Sequence, residues 1–121
     1  MSTVAQEALP DGSLLAAIDL GSNSFHLLIA KIEHGEIRPV EALAEKVQLG
    51  AGLEDGVLSD EAIQRGLECL SRFAQLLGSV DIQRVRVVGT NALRMAKNRK
   101  AFTGPARRIL GTRVDVIYGL E

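Results

Sequence analysis

Two short apolar runs, Leu14–Leu20 (LLAAIDL) and Phe25–Ile32 (FHLLIAKI), stand either side of Gly-Ser-Asn-Ser and predict strand, tight turn, strand. From Glu36 to Leu49 the apolar residues Ile37, Val40, Leu43 and Val47 recur without strict alternation. Pro39 has no amide to give to a ladder, so a third strand there belongs at a sheet edge or carries a bulge. The glycine-rich loop Gly50–Gly56 leads into a helix. Ser59 is its expected N-cap, Asp60 and Glu61 put negative charge in its first turn, and Ile63, Leu67, Leu70, Ala74 and Leu77 recur at helical spacing until Gly78 stops it. Arg84–Val88 and Arg113–Ile117 alternate and are rich in β-branched residues, which predicts two more strands. Asn91–Leu110 between them reads as helical, with Gly104-Pro105 expected to break or restart the helix.

Three strands, a helix, a strand, a helix and a strand require crossovers and some parallel pairing, so the class is α/β. Residues 1–13 read as a polar, frayed tail, and 14–121 as one lobe. The opening residues have neither the basic start nor the apolar centre of a secretory signal, and no apolar run approaches the roughly 20 residues of a bilayer span. One cysteine, Cys69, forbids an internal disulfide and fits a reducing, cytoplasmic compartment. A chain that ends directly after a strand is expected to be a piece of a longer protein.

The 121 residues carry 14 Lys and Arg against 15 Asp and Glu, but the cations are unevenly spread. Nine of them, from Arg84 to Arg113, lie between Ile82 and Val114 with no acid among them, so the rest of the chain is strongly acidic. Such a block suits a polyanionic partner, or equally a solvated helix face balanced by acids elsewhere in the fold. Three phenylalanines, one tyrosine and no tryptophan supply few stacking surfaces, which argues against nucleic acid as that partner.

The chemistry concentrates in three places. In Ile18-Asp19-Leu20-Gly21-Ser22-Asn23-Ser24, a strand delivers Asp19, expected on its buried side, to a turn of small residues whose amides, hydroxyls and side-chain amide could cradle an anion. A buried carboxylate there would need something to coordinate or hydrogen-bond. The plainer alternative is a hairpin turn in which Asp19 caps its own backbone. Val88-Gly89-Thr90-Asn91-Ala92-Leu93-Arg94 runs from a strand through a glycine turn into a helix, which would leave amides for a phosphoryl oxygen with Arg94 about one turn along. Its alternative is an ordinary connector with Thr90 or Asn91 as N-cap. Glu121, following Tyr118 and Gly119 at the carboxyl end of a strand, is placed for general-base work or is simply the terminal residue. His26 and His34 have no partner at metal-ligand spacing, and Cys69 reads as a small buried hydrophobe.

Taken together, IDLGSNSFHLLIA, LGAGLEDGVLSDEA, VVGTNALRMAKN and VIYGLE resemble the exopolyphosphatase and guanosine pentaphosphate phosphohydrolase family, and the likeness runs from about residue 14 to 121. LSDEAIQRGLECLSRFA and SNSFHLLIA lean it toward exopolyphosphatase. The resemblance implies the actin-like ATPase fold: a ribonuclease H-like lobe with a mixed sheet and flanking helices, a second domain, and a phosphate chain between them. It implies that Asp19, Gly21, Ser22, Asn23 and Ser24 form the first phosphate loop, with Asp19 at a Mg²⁺ ion and K⁺ a further candidate. It implies that Gly89, Thr90 and Arg94 hold the phosphate chain, with Arg94 and the base Glu121 catalytic. The second phosphate loop would follow Glu121, so these residues alone are expected to be inactive. For the longer protein it implies inorganic polyphosphate or guanosine pentaphosphate as substrate, homodimeric assembly and no membrane span. A non-catalytic polyanion-binding module is the alternative of another class. Tyr118 and Gln48 depart from the family pattern, where Ser and Arg are common.

Overall fold

The computed structural model describes residues 9–78 and 80–117. In chain order the elements are β1 (Leu14–Leu20), β2 (Ser24–Glu33), β3 (Glu36–Lys46), the short hairpin strands β4 (Leu53–Glu54) and β5 (Val57–Leu58), and the helix α1 (Asp60–Leu76). Then follow β6 (Val85–Gly89), α2 (Asn91–Met95), α3 (Lys100–Leu110) and β7 (Asp115–Val116). Five strands form one sheet in the order β3-β2-β1-β6-β7. β2 is antiparallel to both β1 and β3, while β1, β6 and β7 run parallel. This mixed sheet is the ribonuclease H-like arrangement expected above. Each parallel pairing needs a helical crossover, supplied by α1 before β6 and by α2 and α3 before β7.

The core lies on one face of the sheet. Ile18 and Leu20 of β1, Phe25 and Leu27 of β2, and Val85 and Val87 of β6 are all buried there, against α1 and α3. Gly66 of α1 lies under the Phe102 ring of α3: a Cβ on Gly66 would stand 2.6 Å from Phe102 Cε1. Phe102 in turn meets Phe25 edge-on, with ring centroids 6.0 Å apart at 65°. The helix stripe therefore centres on Gly66, Cys69 and Phe73, with Leu67 and Ala74 only partly buried at its margins. Among the described residues no helix is long and apolar enough to cross a membrane.

β3 is the edge strand that Pro39 called for, and it is bulged. Ile29 faces Glu41 while Ala30 faces Pro39, so Val40 is the extra residue. Ser59 caps α1 by accepting the Ala62 amide at 3.1 Å. The other end differs from expectation. The Leu77 amide closes onto Phe73 and Ala74 carbonyls, and Gly78 is not in the left-handed conformation of a glycine cap. At the amino end, residues 10–13, read as tail from sequence, are bonded to β2: the Gly12 amide donates to Ile32 O, and the Ile32 amide to Ser13 O.

The helical stretch after β6 breaks at 96–99 and not at Gly104-Pro105. Ala96 leaves α2 with extended dihedrals, and α3 then runs through Pro105. Proline there removes the bond to the carbonyl four residues back and crowds that carbonyl, and burial of Phe102, Ala106 and Leu110 offsets the cost. The earlier break has a tertiary cause: Lys97 bonds to Gly56 in the turn before β5, Asn98 bonds to Leu58 of β5, and both leave the helix to do so.

Candidate functional site

The turn after β1 is closed by its own backbone. The Gly21 amide donates to Ser24 O at 3.1 Å, and a Cβ on Gly21 would lie 2.9 Å from that same oxygen, so only glycine fits. The Gly21 amide is thus inside the turn and is not one of the groups left for an anion. Neighbouring segments hold the outside of the turn. The Gly50 amide donates to Ser22 O and the Gln48 amide to Asn23 O, each at 2.8 Å.

Ser22 does more than line the turn. Its Oγ accepts the Ala92 amide at 3.1 Å, which joins this turn to the start of α2. Thr90, with Asn91 a candidate cap in the connector alternative, makes no side-chain cap bond. The picture of a free helix N-terminus after Gly89 is corrected on two counts: α2 is five residues long, and the amide of Ala92 is already taken. A hydroxyl has a proton and a second lone pair besides the one engaged, so Ser22 still has hydrogen-bonding capacity for a ligand. Gly89 is pressed against Leu93, whose Cδ1 would be 2.6 Å from a Cβ at that position. Arg94, half-buried in the last turn of α2, donates from Nη2 to Asn91 Oδ1 at 2.7 Å. Gly21, Ser22, Asn23, Ser24, Gly89, Thr90 and Arg94 therefore gather at the carboxyl ends of β1 and β6, as expected of a ligand site in an open α/β sheet.

Asp19 needs correction. It is exposed, because Ile18 and Leu20 take the core side of β1 and strict alternation turns Asp19 to the other face. There it stands opposite His26 on β2 and Val88 on β6, along an open cavity of about 410 Å³ also lined by Ala17, Leu28 and Arg86. Among the described residues no three His, Cys, Asp or Glu side chains gather to hold a metal ion. Glu121, Tyr118 and Gly119 lie outside the described residues.

The cation block is two groups, not one. α3 returns the chain to the far end of the sheet before β7 begins, so Arg94, Lys97, Arg99 and Lys100 lie at the loop end. Arg84, Arg86, Arg107, Arg108 and Arg113 belong to the opposite end. Arg113 there pairs with Asp115 at 2.9 Å. Cys69 is inert: burial first, and then the charge and hydrogen bonding of Glu45, push its thiol up to about 12.

Three site-shaping residues were not foreseen. Arg65 donates from Nε to Val47 O at 2.9 Å and from Nη2 to Gln48 O at 3.1 Å, holding the chain where Gln48 takes a left-handed φ of 56°. Gly50 packs on Ser22, whose Cβ would be 3.1 Å from an added Cβ. Asn98 bonds to Leu58. The one available signal was glycine in the LGAGLEDG loop. Nothing local marks Arg65 or Asn98.

A sequence model described as the Ppx/GppA phosphatase family matches residues 28–121. The guanosine-5'-triphosphate,3'-diphosphate pyrophosphatase of Photobacterium profundum is 48% identical over 116 residues, 95% of this chain and 23% of its own length. Among solved structures, the Ppx/GppA family member of Aquifex aeolicus superimposes with a TM-score of 0.80 at 32% identity, covering 87% of this chain and 35% of its own. An exopolyphosphatase from Cytophaga hutchinsonii does so at 0.81 and 30% identity, over 87% and 34%. The chain thus spans less than a quarter of that curated relative and about a third of those crystal structures.

Proposed function

This chain belongs to the Ppx/GppA phosphatase family, and on that footing we propose that the longer protein of which it would be the first lobe hydrolyses the terminal phosphoanhydride of inorganic polyphosphate and releases orthophosphate. The observation that carries the reading is the Ser22–Ala92 hydrogen bond, which brings two loops of small polar residues and Arg94 to one end of the sheet. A second reading, guanosine pentaphosphate as substrate, draws support from the name and 48% identity of the Photobacterium profundum relative. Both substrates end in a phosphoanhydride, and the same steps serve both.

Water attacks the terminal phosphorus in line with the leaving oxygen, and Glu121 takes its proton. The turn formed by Gly21, Ser22, Asn23 and Ser24, with the Gly89-Thr90 segment, holds the phosphate chain. The Arg94 guanidinium meets the charge on the equatorial oxygens of a loose transition state. Mg²⁺ suits this donor set, because it retains waters and substrate oxygens and needs only one or two carboxylates, of which exposed Asp19 offers one. When bound it would supply positive charge to the phosphate oxygens. Homodimeric assembly and a cytoplasmic location belong to the same proposal.

Orthophosphate release by the complete polypeptide tests this, with polyphosphate and guanosine pentaphosphate supplied separately. Arg94→Ala and Glu121→Gln are each expected to lower turnover by about 100-fold or more, with a much smaller effect on binding. Undiminished release from both variants on both substrates would overturn the reading. A non-catalytic polyanion module instead predicts no release, and salt-dependent binding that weakens alike for every cation removed.

A further inference from the structure

The turn between α2 and α3 carries contacts that the phosphate reading does not use. Asn98 Oδ1 accepts the Leu58 amide at 2.9 Å, and Asn98 Nδ2 donates to Leu58 O at 3.0 Å. One side chain thus makes to β5 both bonds that a neighbouring strand would make. On one side of it the Lys97 amide donates to Gly56 O at 2.7 Å. On the other, Arg99 donates from Nε to Ala96 O at 3.1 Å and from Nη2 to Arg94 O at 2.8 Å. Leu58 is only 1% exposed, so both its backbone groups depend on Asn98 in place of water.

Followed outward, this contact reaches both halves of the candidate site. The segment from Gly50 to Leu58 donates the Gly50 amide to Ser22 O, so β5 is continuous with the support of the first turn. In the other direction Arg99 grips the carbonyl of Arg94 itself. α2 is therefore held at its start by Ser22 and at its end by the Asn98–Arg99 turn, with Arg94 between them.

We propose that Asn98 is a positioning residue that sets where Arg94 stands relative to the Gly21–Ser24 turn. This rests on the reading of Arg94 as a phosphate contact. The residue type follows from the chemistry: a short side-chain amide presents one donor group and one acceptor side by side, whereas aspartate offers acceptors alone and alanine neither. Asn98 touches no reacting atom in this scheme and acts through Arg94.

The test is a double-mutant cycle on orthophosphate release by the complete polypeptide, using Asn98→Ala, Arg94→Ala and the pair. Asn98→Ala alone should lower kcat by about tenfold or more, the size of effect expected from an ångström-scale displacement of a transition-state contact. In the Arg94→Ala background the same change should cost less than about twofold, because the group it positions is gone. Losses that multiply, or a silent Asn98→Ala beside a damaging Arg94→Ala, would overturn the positioning role and leave the phosphate reading intact. A silent Arg94→Ala would instead overturn that reading, and the positioning role with it. If Asn98→Ala does not fold, Asn98→Asp keeps an acceptor for the Leu58 amide and carries the same cycle.

Discussion

The Ser22 hydroxyl caps a helix far along the chain, accepting at 3.1 Å the amide of Ala92, 70 residues away. A cap drawn from another loop ties local helix geometry to the relative position of two loops, so one substitution should be felt in both. Ser22→Ala is expected to lower unfolding free energy by about 1 kcal/mol, as for loss of an N-cap, measured by urea denaturation. In the complete polypeptide it should also lower kcat for orthophosphate release. Loss of stability with kcat unchanged would confine Ser22 to a structural role.

Separation of the cations into two groups gives a contrast within one charge class. Arg94→Ala should reduce kcat/KM for orthophosphate release by at least about 100-fold, while Arg108→Ala, at the opposite end of the sheet, should change it by less than about threefold at moderate salt. Equal losses would favour diffuse attraction of a polyanion over a defined contact.

Packing of α1 on α3 predicts opposite signs for two helix substitutions. Gly66→Ala places a Cβ where Phe102 Cε1 is 2.6 Å away, in a core where that ring is 0% exposed. It should destabilise by about 1–3 kcal/mol. Pro105→Ala restores a helix amide at a half-buried position and should stabilise by about 1 kcal/mol or more, after the entropy returned to the unfolded chain. Thermal melts of both variants check the pair.

Acid dependence should be traceable to Glu45. The hydrogen bond from Arg72 holds its carboxyl below the ordinary 4.5 despite the opposing effect of burial. Because the folded value is the depressed one, the contribution is present above 4.5 and disappears as pH falls through the folded value. The Arg72–Glu45 pair, at 2.7 Å, is largely exposed, so its contribution is small and screened by salt. Arg72→Met should be less stable than the parent at neutral pH and equal to it in strong acid, with the gap also narrowed by salt. A gap that does not change with pH would assign it to packing alone.

The hairpin of β1 and β2 was legible because apolar runs flank four small residues, and the bulge in β3 because Pro39 cannot donate to a ladder. The cap at Ser59 was equally local. What escaped detection depends on partners distant in sequence. Asp19 looked buried because Leu15 and Ala17, also apolar, mask the alternation that sends 15, 17 and 19 to the open face. Visible backbone chemistry places a helix break at Gly104-Pro105, but the break occurs where Asn98 finds Leu58, 40 residues away. Within the candidate site the turn and Arg94 were readable from residue type, whereas the residues supporting them, Arg65 and Asn98, act through backbone carbonyls and amides that carry no sequence signature.

Parallel pairing of β1 with β6 has a consequence for how the chain is made. A ribosome releases the first hairpin early, yet Asp19 meets Val88 only after some 70 further residues have been translated, which at typical elongation speeds takes about 3–14 seconds. Until α1 (Asp60–Leu76) has been made within that interval, Ile18, Leu20 and Leu27, buried in the finished lobe, have no helix over them. The nascent hairpin is thus an apolar surface in waiting and a natural client for chaperones that bind emerging chains.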